Sequence, residues 1–236
     1  MKQLPLDLQL PEPFGFDDFL IGPNLEAFLA LKALADGEGQ ESVIYLWGEA
    51  GVGKRHLLQA TMARAQEHGL IARYYDAATT DLGETAHGAQ LLAVHHVDQL
   101  DAETQIVLFG LINAQRERGA AIIMAGPQPP MQLHLREDLR TRLGSGLVFE
   151  IQPPADEDKA ALLRHRARAR GCEVDETVCR WLVTHQSRDL ASLTRLLDAL
   201  DREALAAGRP LTLPFVREAL ANNALSDKTP GPQSAT

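Results

Sequence analysis

Apolar and polar positions alternate with different periods in successive parts of the chain. Leu4, Leu6, Leu8 and Leu10 recur at every second position among prolines, which predicts an extended arm and not a helix. Phe28, Leu31 and Leu34 then recur at helical spacing, predicting a helix over 26–35 that Asp36-Gly37-Glu38-Gly39 stops. Short apolar runs at 43–47, 70–75, 90–94, 120–124 and 147–151 read as strands, with helical patterns after Lys54 and over 104–118. Apolar strands separated by helices predict an α/β fold with a mostly parallel sheet covered on both faces. The stretch 76–89 has little pattern and reads as a loop.

After Pro153-Pro154 the period is helical throughout. Asp156 is read as the cap of a helix over 156–170 that Gly171 closes, and helices follow at 175–185, 189–206 and 214–220. Trp181 and Phe215 read as the core of this small all-helical domain. Arg164, Arg166, Arg168 and Arg170 split between opposite faces at about 100° per residue, so they read as a solvated helix and not a basic stripe. From 225 onward Ser, Pro and Gly dominate, and disorder is expected. The expected divisions are an arm and linker at 1–24, an α/β domain at 25–153, a helical domain at 154–224 and a tail at 225–236.

The 236 residues, 45% hydrophobic and 23% charged, have the composition of a soluble globular protein. No apolar run reaches the length of a signal peptide or a membrane span, so a cytoplasmic location and no membrane partner are expected. A net charge of -9 argues against broad affinity for nucleic acid. Cys172 and Cys179 fit no common zinc or redox spacing and read as reduced, partly buried thiols.

Candidate chemistry lies between the first strand and the helix expected from His56. Gly48-Glu49-Ala50-Gly51-Val52-Gly53-Lys54 has the spacing of a phosphate-binding P-loop: glycines turn backbone N–H groups toward an anion, and Lys54 reaches the outer phosphates. Arg55 follows where a Ser or Thr hydroxyl would coordinate magnesium. Its guanidinium either places positive charge near the phosphates or points to solvent.

Three further segments lie in a telling order around the loop: Phe14-Gly15-Phe16-Asp17-Asp18-Phe19-Leu20-Ile21-Gly22-Pro23-Asn24, Gly126-Pro127-Gln128-Pro129-Pro130, and Leu139-Arg140-Thr141-Arg142-Leu143. Together with the P-loop and the helical C-terminal part they resemble the AAA+ family, and within it the DnaA-related branch, from Gln3 to about Leu220. The chain ends soon after Leu220, where the initiators of that branch continue into a DNA-reading domain, so it is more similar to the branch's shorter regulators.

The resemblance implies an AAA+ P-loop α/β domain with a parallel sheet and a small helical lid. It implies an adenine nucleotide, ADP being expected, held by Gly48, Glu49, Ala50, Gly51, Val52, Gly53, Lys54, Arg55 and His56, by Leu20 and Ile21 beside the base, and by Arg188 as a sensor arginine. Arg142 is implied as an arginine finger acting in trans. The arm residues Gln3, Leu4, Leu6 and Leu8 resemble a peptide that binds the DNA polymerase sliding clamp. DnaA and the clamp are the implied partners, with DNA reached only through the clamp. Whether the chain forms a homo-oligomer is left open.

Three positions depart from the family pattern. Arg55 replaces the hydroxyl, Pro127 replaces a polar residue, and His95-His96 stands where an acidic pair follows the apolar strand. Imidazole is a poor magnesium ligand. Neighbours on a strand face opposite sides, so a shared zinc ion, or any metal site, is not expected; Asp98 is an alternative carboxylate. Nucleotide binding without efficient ATPase activity is therefore expected, and tightly held magnesium is not. A self-sufficient AAA+ ATPase and a helicase-loader-like protein that binds single-stranded DNA are the alternatives.

Overall fold

The computed structural model describes residues 15–39, 41–78, 82, 86, 88–169, 171–186 and 190–226. The arm residues Gln3, Leu4, Leu6 and Leu8, together with Phe14, Arg188 and residues 227–236, lie outside the described residues. The chain divides into two compact units, Met1–Pro153 and Pro154–Thr236.

In the first unit β1 (Val43–Trp47), β2 (Ala72–Asp76), β3 (Leu91–His95), β4 (Ala121–Gly126) and β5 (Leu147–Glu150) form one sheet in the order β2-β3-β4-β1-β5. Every pairing is parallel. The period-two alternation of β1 explains how both faces are covered. Ile44 and Leu46 pack with Leu31, Leu57 and Leu58 of α1 (Leu25–Ala35) and α2 (Lys54–Glu67). Val43 and Tyr45 pack on the other face with Leu108, Ile112 and Leu139 of α3 (Ala102–Glu117) and α4 (Glu137–Leu143). Each fully buried Leu or Ile contributes about 1.5–3 kcal/mol.

Several boundaries differ from the sequence reading for local reasons. β2 starts at Ala72 because the Leu70 N–H donates to the Ala65 carbonyl (2.9 Å) and closes α2. The Asp101 carboxylate accepts the Thr104 N–H (2.8 Å), so α3 begins at Ala102 and not at 104. In the stretch 76–89 the described residues beyond Asp76 form neither helix nor strand, yet Leu82 and Ala86 are buried in the α3 side of the core.

The second unit contains α5 (Asp156–Ala169), α6 (Glu176–His185), α7 (Leu190–Ala207) and α8 (Leu213–Ser226) around Leu163, Val178, Leu182, Leu193, Val216 and Phe215. Asp156 is the first helical residue and not a cap; its carboxylate pairs with buried Lys159 (2.9 Å). α8 runs to Ser226, past the expected start of the tail. Arg164 bonds Glu176 (3.2 Å) and Arg166 bonds Thr194 (3.4 Å), which corrects the reading of α5 as simply solvated. Trp181 lies at the margin of the core, stacked on His185 with Arg217 over its ring. Cys172 and Cys179 are free and buried, and burial pushes their thiols up to about 12 and about 11. Among the described residues no helix is long and apolar enough to cross a membrane.

Candidate functional site

The loop between β1 and α2 follows directly from its glycines. Gly48, Gly51 and Gly53 all have positive φ, at 148°, 81° and 107°. A Cβ at Gly48 would collide with the carbonyl oxygen of Ile151. α2 begins at Lys54, earlier than expected, because left-handed Gly53 turns the loop straight into the helix. The Nζ of Lys54 donates to the carbonyls of Gly48 (2.7 Å) and Glu49 (2.8 Å), which holds the ammonium across the mouth of the loop. Burial lowers the pKa of Lys54, and the charge of Asp98 partly opposes this. Asp98 itself is exposed, in the 3-10 turn Val97–Gln99. Arg55 is exposed as well.

The segment 15–24 is fastened beside this loop by contacts that sequence spacing did not single out. His56 Nε2 donates to the Gly15 carbonyl (2.8 Å), and the Phe19 ring lies 5.8 Å from that imidazole. Phe16 and Phe19 both pack on Phe28. Buried Asn24 makes a two-way bond with the backbone of Gln152, at 2.9 and 2.8 Å. Leu20 and Ile21 are left half-buried between these anchors. No local pattern marks this strap, because the partner of Asn24 is 128 residues away.

β3 ends in the least expected geometry of the unit. His95 is its last residue, and His96 has a left-handed backbone (φ 54°), the one positive φ outside glycine among the described residues. Strand alternation therefore stops at His95, and the two imidazoles lie together with ring centroids 3.7 Å apart. This overturns the expectation that they face opposite sides. Asp76, paired with His95 in the β2–β3 register, joins them and accepts a hydrogen bond from His96 Nδ1 (2.7 Å). Burial would raise the Asp76 carboxyl, but the bonds from His96 and the Ala78 N–H outweigh it and hold the group below the usual carboxylate range. Burial lowers His95 to about 4, and His96 adds to the shift, so this imidazole is neutral at pH 7.

At the end of β4, Pro127 is followed by Gln128, whose carbonyl accepts the buried Tyr45 hydroxyl (2.8 Å). Arg142 lies near the end of α4, half-buried, with its guanidinium 5.6 Å from the centre of the Phe109 ring. It borders an open groove with Arg136, Glu137, Asp138 and Thr141. Arg136 is paired with Asp138 (2.8 Å) and Arg140 donates to the Met131 carbonyl (3.2 Å), whereas Arg142 has no ion-pair partner among the described residues.

Residues 10–77 match the family model of the bacterial DnaA ATPase domain, and residues 156–220 match that of the Hda lid domain. Domain III of the replication initiation protein DnaA from Thermotoga maritima is similar, with 22% identity, 90% of this chain and 98% of that chain covered, and a TM-score of 0.79. The AMPPCP-bound DnaA from Aquifex aeolicus shows 21% identity over 82% of this chain and 66% of its own, with a TM-score of 0.69. The RuvB Holliday junction branch migration motor of Thermotoga maritima shows 16% identity over 89% of this chain and 72% of its own, with a TM-score of 0.68. At such identities the likeness is one of fold.

Proposed function

The chain is a DnaA-related, Hda-like AAA+ protein, an α/β P-loop domain with a parallel sheet followed by a small helical lid, and we propose that it is a nucleotide-holding regulator of replication initiation that stimulates ATP hydrolysis on DnaA in trans. The observation that carries this reading is the split between holding and hydrolysing parts. The loop presents Lys54 and three left-handed or near-left-handed glycines as a phosphate cradle. The strand end beside it presents neutral His95 where a magnesium-binding acid would serve, and the adjacent carboxylate, Asp76, is engaged by His96. Such a site favours binding over turnover, and Arg142, with no ion-pair partner among the described residues, is then available to a nucleotide on a neighbour.

The resident ligand in this reading is an adenine nucleotide, in keeping with the AMPPCP-bound neighbour, and ADP is its expected form. In this reading the base lies beside Leu20 and Ile21, and Arg188 is assigned the sensor role. The arm residues Gln3, Leu4, Leu6 and Leu8 tether the chain to the sliding clamp and so bring it to DNA. Measuring ATP turnover by the pure protein, then with DnaA, then with DnaA and clamp-loaded DNA, tests the assignment. Turnover by the pure chain that DnaA does not change supports a self-sufficient ATPase instead, and tight single-stranded DNA binding supports a helicase-loader-like protein.

Two expected results follow. ADP affinity should change less than about tenfold between magnesium and magnesium-free buffer; a loss of roughly a hundredfold, about 2.7 kcal/mol, overturns the reading of the site. The double variant Gln3→Ala, Leu6→Ala should lose clamp binding in a pull-down while its melting temperature and ADP affinity stay put. Leu4 and Leu6 fall on one side of an extended peptide and enter an apolar cleft together, and Gln3 offers both a donor and an acceptor at its rim. Clamp binding that survives the double change removes the arm from the interface.

A further inference from the structure

Asp76, His95 and His96 lie at the carboxyl ends of β2 and β3, and each offers a ligand atom within 4.8 Å of the others. Two of the three are held by the sheet itself, because Asp76 and His95 are register partners. The third is delivered by the left-handed turn at His96, a conformation that a non-glycine residue adopts only at a cost. His95 Nδ1 is buried, has no hydrogen-bond partner among the described residues, and lies 3.7 Å from Asp76 Oδ2. Its side chain is 8% exposed. A buried imidazole nitrogen left unsatisfied beside a carboxylate and a second imidazole is a donor set lacking its acceptor.

The chemistry of the set selects the ion. Two imidazoles and one carboxylate are softer than the all-oxygen shell that magnesium requires, and they suit zinc, cobalt or nickel. Metal bonds of about 2.0–2.2 Å in a tetrahedral arrangement separate the donors by roughly 3.3 Å. The present separations are 3.7 Å from His95 Nδ1 to Asp76 Oδ2 and 2.7 Å from His96 Nδ1 to Asp76 Oδ1, with all three residues' ligand atoms within 4.8 Å of one another, so the set closes on an ion by contracting around the carboxylate. The His96 side chain is 37% exposed and gives an ion a way in. We propose that Asp76, His95 and His96 form a binding site for a transition-metal dication of the zinc class, with the fourth coordination position open to water.

On binding, the ion replaces the proton between His96 and Asp76, and that proton moves to the opposite nitrogen of the ring. The charges of Lys54 and Arg55 are felt at His95 and oppose a dication, which weakens the affinity.

The test uses the untagged full chain, stripped of metal and free of nucleotide, titrated with Co2+ as a spectroscopic probe. The proposal expects one equivalent per chain, visible absorption of four-coordinate Co2+, and its loss on adding Zn2+. His96→Gln and Asp76→Asn should each weaken uptake by at least about tenfold while circular dichroism and ADP binding persist. A readout on the unaltered protein guards against a variant that fails to fold. Paramagnetic Co2+ should broaden the ring resonances of His95 and His96 before those of exposed His134 and His165. Absence of uptake, uptake unchanged in both variants, or broadening that spares His95 and His96 overturns the site and leaves an ordinary Asp–His hydrogen-bonded pair.

Discussion

Replacing Arg142 with alanine should reduce stimulation of DnaA ATP hydrolysis by on the order of 10³-fold, the size of effect that a trans-acting arginine has on phosphoryl transfer. The side chain stands on a short helix whose Leu139 and Leu143 are fully buried, so its root is fixed by the core. Its guanidinium rests on Phe109, and among the described residues it has no ion-pair partner. Truncation forfeits a surface cation–π contact of about 0.5–1 kcal/mol, so the fold and the chain's own ADP affinity should be nearly unchanged. Arg142→Lys should recover only part of the activity, because an ammonium cannot present the planar fork. Arg140 is the internal control: its guanidinium is engaged with the Met131 carbonyl, and Arg140→Ala should leave stimulation near normal. Steady-state phosphate release from ATP-loaded DnaA reads all three. Near-normal stimulation by Arg142→Ala, or an equal loss with Arg140→Ala, removes Arg142 from the mechanism.

The central strands β1, β3 and β4 were legible because they are buried on both faces and so appear as unbroken apolar runs, whereas the edge strands β2 and β5 are partly exposed and mix apolar with charged residues. The P-loop was legible because its demands on backbone conformation leave glycine as the only economical choice. What escaped the sequence depends on contacts between distant segments or on a single backbone angle. Asn24 and Gln152 are joined across most of the domain, and no local pattern marks either. Tyr45 reads as one more apolar residue of a strand, yet its hydroxyl ties β1 to the turn after β4. His95 and His96 were placed on opposite faces by a rule that holds inside a strand and fails one residue beyond its end. Asp76 was passed over because its significance comes from strand order: β2 and β3 are neighbours, which puts the last residues of both at the same height.

Two substitutions in the loop should separate its scaffold from its chemistry. Lys54→Ala removes the ammonium that the Gly48 and Glu49 carbonyls hold over the cradle. ADP affinity should fall by on the order of 10²- to 10³-fold, about 2.7–4.1 kcal/mol, since a desolvated cation facing phosphate has no substitute among the remaining loop atoms. Stability should hold or rise slightly, because burial already disfavours the charge of Lys54 and its removal relieves that cost. Gly48→Ala should behave in the opposite way. Its φ of 148° and the approach of the Ile151 carbonyl leave no room for a Cβ, and the Ile151 N–H is bonded to the Trp47 carbonyl (2.7 Å), so the backbone cannot step aside without opening the end of the β1–β5 pairing. A loss of about 2–4 kcal/mol in stability is expected, with weakened ADP binding as a consequence of the displaced loop. Calorimetric titration with ADP and thermal unfolding of both variants distinguish the two. ADP affinity in Lys54→Ala within about tenfold of the parent would show that the loop is a turn and not a phosphate cradle, and an undiminished melting temperature in Gly48→Ala would show that the close approach to Ile151 is not what requires glycine there.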